Sequence, residues 1–273
     1  MWGWRPEILF PLLLGGSACT IGWWRLSRRS PQPVPLRRLA VALGGLTSIA
    51  VALLSPVDTL AHALFWAHMV QHMLLMMVAA PLLLLADPLA VVLWALPRNA
   101  RVRVGRLLAA GALPRRIWQA LTWMPVAWVT YALTLWLWHL PSAYEAALRD
   151  RLLHDLEHLA FFWAGVLFWW PIINPAPHLW GRVPHALRVV YLVLGAFQQA
   201  LLGLLLTLSP RVLYPSYLIA PRAGEWSPLE DQAWGGVVMW GLGGAIEMVG
   251  VLLLLFRLLS VQDAETSPSP SSP

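Results

Sequence analysis

Lysine is absent from this 273-residue chain and cysteine nearly so: all 19 basic residues are arginine, and Cys19 is the only thiol. A lone cysteine excludes an intramolecular disulfide, a CxxC redox pair and a thiolate metal cage, so any metal chemistry must rest on histidine, methionine or carboxylates. Charge is scarce as well. Charged residues make up 12% of the chain, against roughly 25% in a soluble domain, which excludes a soluble globule. What is abundant is apolar: 59% of residues are hydrophobic. At about 20 apolar residues per bilayer crossing, seven crossings use about 140 residues. Short loops fill the remainder, with no room for a separate soluble catalytic domain.

Seven apolar stretches stand out, at about 7–24, 39–55, 60–85, 118–140, 156–173, 186–208 and 233–259. The expected fold is all-α, a polytopic membrane helix bundle of about seven transmembrane helices occupying residues 1–261. The Ser/Pro-rich end, 262–273, is expected to be a disordered cytoplasmic tail. Pro88–Pro97 is apolar but too short to cross and reads as an interfacial or re-entrant extension of the third helix. The run from Leu14 to Cys19 looks faintly like a lipoprotein cleavage site, but apolar residues continue through Trp24, as in a retained span.

The arginines give the orientation. Arg25, Arg28, Arg29, Arg37 and Arg38 share the first loop; Arg98, Arg101, Arg103, Arg106, Arg115 and Arg116 share the third. With Arg182, Arg188 and Arg257 they place fourteen arginines inside, against Arg5, Arg149, Arg151, Arg211 and Arg222 outside. By the positive-inside rule the N-terminus is outside and the C-terminus inside. A net charge of +6 is therefore topological and gives no reason to expect nucleic acid as a partner; the partner it implies is the lipid bilayer. Trp2, Trp4, Trp23, Trp24 and Trp180 read as interfacial belt residues.

This topology sorts the eight histidines. His62, His68, His72, His139, His154 and His158 fall in or just above the outer leaflet, while His178 and His185 fall in an inner loop. His68 and His72 are four residues apart, as are His154 and His158, so each pair shares one helix face. Two such pairs on different helices can surround one ion or seed two sites. Imidazole suits copper, zinc, iron and nickel, and a thioether neighbour favours Cu(I). Met76 lies one turn below His72, with Met69 and Met73 on an adjacent face and Gln71 nearby. The plainer role for a single intramembrane histidine is a hydrogen bond between helices, and for the methionines it is flexible packing. Ionisable groups in lipid are nevertheless costly and usually functional.

Asp231 opens the seventh stretch on the outer side, with Met239 and Trp240 beyond it. It can cap its own helix or accept the free N–H of a ligating imidazole. Glu247 lies deeper, with Gln198 and Gln199 of the sixth stretch as candidate partners, and a proton or ion path as the alternative.

In order along the chain stand His68-Met69-Val70-Gln71-His72, Pro81 and Asp87-Pro88, then Trp138-His139-Leu140-Pro141 with Tyr144. His154 to His158 precede Phe168-Trp169-Trp170-Pro171, and Tyr214-Pro215-Ser216-Tyr217 and Asp231-Gln232 follow. This series, from about residue 40 to 257, resembles the CtaG-type family of assembly factors for caa3-type cytochrome c oxidases. The resemblance implies a multi-pass bacterial plasma-membrane protein needed for maturation of a haem-copper oxidase, on the copper side, with an oxidase subunit as partner. The expectation is a non-enzymatic protein binding copper through outer-leaflet histidines. Three alternatives stay open: a b-type cytochrome with bis-histidine haem, an intramembrane zinc hydrolase, and ion transport through Glu247.

Overall fold

Proline and side-chain caps set where the helices of this chain begin. The computed structural model describes residues 4–30, 34–181, 183–219 and 226–266. Arg182 and Arg222 of the charge count, Trp2 of the aromatic belt and the tail beyond 266 lie outside them. Among the described residues there are helices and no strands. Pro6 opens the first helix, Pro6–Arg29. Ser55 caps a short outer helix, Pro56–Ala61, by accepting from the Val57 amide. Asp150 caps Arg151–Ile173 through the Leu153 amide, and Ser227 with Glu230 forms a reciprocal capping box at Pro228.

Among the described residues six helices are long and apolar enough to cross a bilayer: Pro6–Arg29, Leu36–Leu54, Phe65–Leu85, Arg151–Ile173, His185–Thr207 and Pro228–Ser260. Leu113–Leu121 and Met124–Trp138, bent by 66° at the break between them, make a seventh when counted as one span. The sequence suggests one straight helix over 118–140; the structure breaks it because Pro125 has no amide to give and its ring clashes with the preceding turn. The described residues thus form an all-α polytopic bundle of seven spans with that bent pair counted as one. Pro88–Ala95 is a separate helix, set off by Asp87 in the left-handed region at φ 48. It runs beside the inner half of the first span, where Arg25 donates to the Ala95 carbonyl at 2.9 Å. The closing helix continues to Thr266.

The third and fifth spans form the centre: 61% of each apolar window is buried inside the bundle, against 11% for the first span. Small residues let the helices close up. A Cβ on Gly165 of the fifth span would sit 2.7 Å from the Met76 carbonyl oxygen of the third and 2.9 Å from its Cα. A Cβ on Gly203 would sit 2.9 Å from the carbonyl of Gly236, so the sixth and seventh spans touch backbone to backbone. Of the seventh span's other glycines, Gly241 and Gly244 face open space. Both the third and the seventh span contain one π-helical turn, Leu74–Ala79 and Val238–Gly243.

Gly165→Val is therefore expected to destabilise the bundle by about 1–3 kcal/mol, because backbone atoms cannot move aside for the added methyls. Gly105→Ala, inside a helix and meeting nothing within 4 Å, should leave the melting temperature in detergent at or slightly above wild type; thermal unfolding of the two variants beside wild type checks this.

Candidate metal centre

Spacing on the third and fifth spans brings four imidazoles together, most of them edge to face. His68 and His72 have ring centroids 4.4 Å apart, and His154 and His158 4.3 Å apart. Across the helix pair, His68 lies 4.9 Å from His154 and 5.7 Å from His158, and His72 lies 5.4 Å from His158. His139, the residue after the fourth span, comes within 6.1 Å of His72. His62, at the end of the outer helix, reaches 5.7 Å from His154. The five inner histidines are buried, and His62 is exposed at the rim. All six outer-leaflet histidines therefore form one contiguous cluster, floored by Phe161 at 4.2 Å from the His72 ring.

Hydrogen bonds fix the direction of two of the rings. Tyr217 is 3.2 Å from the Ala61 carbonyl, which can only accept, so its hydroxyl proton is committed there. Tyr144, 3.0 Å away, must then donate to Tyr217. His68 Nδ1 lies 2.7 Å from the Tyr144 hydroxyl and 3.2 Å from that of Tyr217, so the three groups form one hydrogen-bonded triangle that orients the ring. Burial pushes both tyrosine hydroxyls well above their ordinary pKa, keeping them protonated. With Nδ1 held by the tyrosines, His68 Nε2 faces the cluster. His139 follows the same rule: Nδ1 donates to the Leu135 carbonyl at 2.7 Å, and Nε2 faces the Met69 sulfur at 3.4 Å.

The tyrosines are held from outside the membrane. Glu145 accepts from the Ser216 amide at 3.0 Å and from its hydroxyl at 2.7 Å, linking Pro141–Arg149, which carries Tyr144, to Ser216–Ile219, which carries Tyr217. Burial opposes the charge on Glu145, but Ser216 and Arg149 outweigh it and hold the carboxyl below its usual range.

Between the two histidine pairs lies Glu157, fully buried. Its oxygens are 3.8 Å from His68 Nε2 and 3.8 Å from His72 Nε2. Its position three residues after His154, on the same helical face, is the sequence signal that marks it. Two ligand sets emerge, His68–His154–His158 and His68–His72–Glu157, with the ligand atoms of each within 4.8 Å of one another. His68 Nε2 and His154 Nε2 are 3.2 Å apart. Two nitrogens at 2.0–2.1 Å from a tetrahedral ion are themselves about 3.3 Å apart, so this pair suits a shared cation.

Six buried atoms in this space have no hydrogen-bond partner: both ring nitrogens of His72, both of His158 and both oxygens of Glu157. An unsatisfied buried polar group costs about 1–3 kcal/mol, and here the groups converge. A cation with nitrogen and oxygen ligands would satisfy them together.

The remaining sequence candidates are placed differently. Asp231 touches no imidazole and does not cap its own helix; its oxygens accept the Phe65 and Trp66 amides at 2.7 and 3.0 Å, capping the third span. That places Asp231 behind the cluster, fixing the start of the helix that carries His68 and His72. Gln71 points away, donating to the Ala52 carbonyl and to Asp58 at 2.8 and 3.0 Å. The thioether beside an imidazole is that of Met69; Met76 and Met239 are buried packing partners, with the Met239 carbonyl accepting from Gln199. Glu247 is buried with both oxygens unpartnered. Its expected glutamine partners are engaged elsewhere, Gln198 by Trp136 and Gln199 by Tyr131 and Met239.

Comparison with known proteins adds the context. Residues 19–260 match the family model described as cytochrome c oxidase caa3 assembly factor. The chain is similar to uncharacterized proteins of Mycobacterium bovis and Mycobacterium tuberculosis, each 27% identical over 241 residues that make up 86% of this chain and 36% of the relative. A Mycobacterium leprae uncharacterized protein is 26% identical over 275 residues, with 93% of this chain and 40% of the relative covered. This chain spans well under half the length of these relatives, and no solved structure matches it. The family match takes in every histidine of the cluster, and the chain belongs to the cytochrome c oxidase caa3 assembly factor family.

Proposed function

We propose that the protein is a non-enzymatic assembly factor of the bacterial plasma membrane that takes up copper at the histidine cluster and passes it to a subunit of a haem-copper oxidase. The observation that carries this reading is the convergence of unpartnered imidazole nitrogens and a carboxylate in one buried space. Copper is cargo here, held by exchangeable ligands. Imidazole with a thioether close by suits both oxidation states, with Met69 favouring Cu(I). Position supports hand-over on the outer side: the exposed His62 stands at the rim of the cluster, 5.7 Å from the buried His154 ring. A bis-histidine haem finds less support, because facing imidazoles 3.2 Å apart leave no slot for a macrocycle between them.

A metal-dependent hydrolase is the second reading, favoured by Glu157 alone. His154-Asp155-Leu156-Glu157-His158 has the HxxEH spacing seen in some zinc hydrolases, and a carboxylate beside the metal is what water activation needs. Turnover of a lipid amide by purified protein, abolished in Glu157→Gln, would establish it in place of the first.

Purified protein loaded with Cu(I) and desalted should retain copper by elemental analysis, and His68→Ala/His72→Ala should lose it together with oxidase activity in cells. Absence of bound copper, with oxidase activity kept in the double variant, overturns the proposal. Stability gives an independent check: His158→Leu removes two unsatisfied buried nitrogens and should raise the melting temperature of the metal-free protein. Wild type should gain about 2.7 kcal/mol from copper at a hundred times its Kd, and the variant much less. Tyr217→Phe breaks the donor chain that orients His68 and is expected to weaken copper binding about tenfold while the fold persists, as read by competition against a chromophoric Cu(I) chelator.

A further inference from the structure

Above the histidine cluster lies an ion network that copper binding as described does not use. Arg5, just before the first span, has a side chain only 13% exposed and is ion-paired with Asp155, the residue after His154. Its Nε lies 3.3 Å from Glu7 and its Nη1 4.0 Å from Asp58. Three carboxylates from the first span, the outer helix and the fifth span thus converge on the Arg5 guanidinium, with Glu7 also paired to the exposed Arg151 at 2.5 Å. Beneath it is a cavity of about 270 Å³ walled by Arg5, Glu7 and Asp155, by apolar side chains including Leu53 and Phe162, and by His158. His158 is 3% exposed, and neither of its ring nitrogens has a hydrogen-bond partner. The cavity therefore joins the carboxylates directly to an imidazole of the candidate metal centre.

A cation moving from water to buried imidazoles gives up hydration, and carboxylates along the way compensate while concentrating it locally. A guanidinium at the same spot repels it and competes for the same oxygens. Arginine stays charged at any physiological pH, so it can yield only by being displaced. We infer that Glu7 and Asp155, with Asp58 beside them, form an electrostatic landing site for the metal cation bound for the histidines, with Arg5 as a tethered cation that fills the site until the cargo displaces it. This inference rests on the copper reading above. It requires no unfolding: the Arg5 carbonyl accepts from the Ile8 and Leu9 amides at 3.0 and 2.9 Å, so the side chain can swing while the helix start stays fixed.

Silver(I), a redox-inert probe for Cu(I), tests it on the full chain in lipid nanodiscs, with uptake rates read by rapid desalting and elemental mass spectrometry. Arg5→Gln should load about tenfold faster and Asp155→Asn about tenfold slower, the lower end of electrostatic steering effects. Arg5→Lys, which keeps the charge, should stay within about twofold of wild type. Opposite signs for the first two variants come from charge at the mouth, whereas a merely loosened structure would speed both. Unchanged rates, or acceleration in both, overturn the inference while leaving the copper reading in place. If wild type retains no silver at all, the copper reading falls and this inference falls with it.

Discussion

A polar atom buried where water and lipid headgroups cannot reach it must find its partner inside the protein, and much of this bundle's outer half is arranged by that demand. The exposed amides at the start of the third span are met by Asp231 from the seventh. The Tyr217 hydroxyl is met by the Ala61 carbonyl and the His139 Nδ1 proton by the Leu135 carbonyl. His72, His158 and Glu157 are left without partners. Other buried atoms are unmet as well, Glu247 among them, but these three side chains converge on one space, and that convergence gives them their meaning.

Much of this was written in the spacing of the sequence. Two HxxxH pairs, each near the start of a span that enters from the same side, bring their imidazoles to a similar depth, and a scarcity of charge makes any ionisable residue there conspicuous. The fourth span's break at Pro125 was in principle legible too, since proline at that place can only start a helix. Other features depend on contacts that local spacing cannot encode. Asp231 bonds to residues some 165 positions away, and its sequence context offers a cap for its own helix that Ser227 in fact provides. Met69 rather than Met76 meets an imidazole because the His139 ring approaches from the fourth span. Glu157 was hidden by its neighbours: beside two histidines and an aspartate it reads as outer-face polarity, and only the packing of the third span against the fifth turns it inward.

The tyrosine chain shows how position outside the membrane governs chemistry within it. Glu145 holds together the two outer helices that carry Tyr144 and Tyr217, and through them the His68 ring is oriented. A carboxylate buried between two short helices thereby decides which nitrogen of a buried ring faces the cluster. The ligand field is set at a distance, through directional bonds rather than through charge.

The π-helical turns, Leu74–Ala79 and Val238–Gly243, carry a geometric consequence of another kind. Each accommodates one extra residue relative to an α-helix, so the helical wheel is advanced by about 100° between the part above the turn and the part below. In the third span the seam falls just past His72. The extracytoplasmic segment can thus aim its imidazoles at the fifth span while the cytoplasmic segment aims its packing face elsewhere, and the two orientations are independently adjustable within one continuous rod.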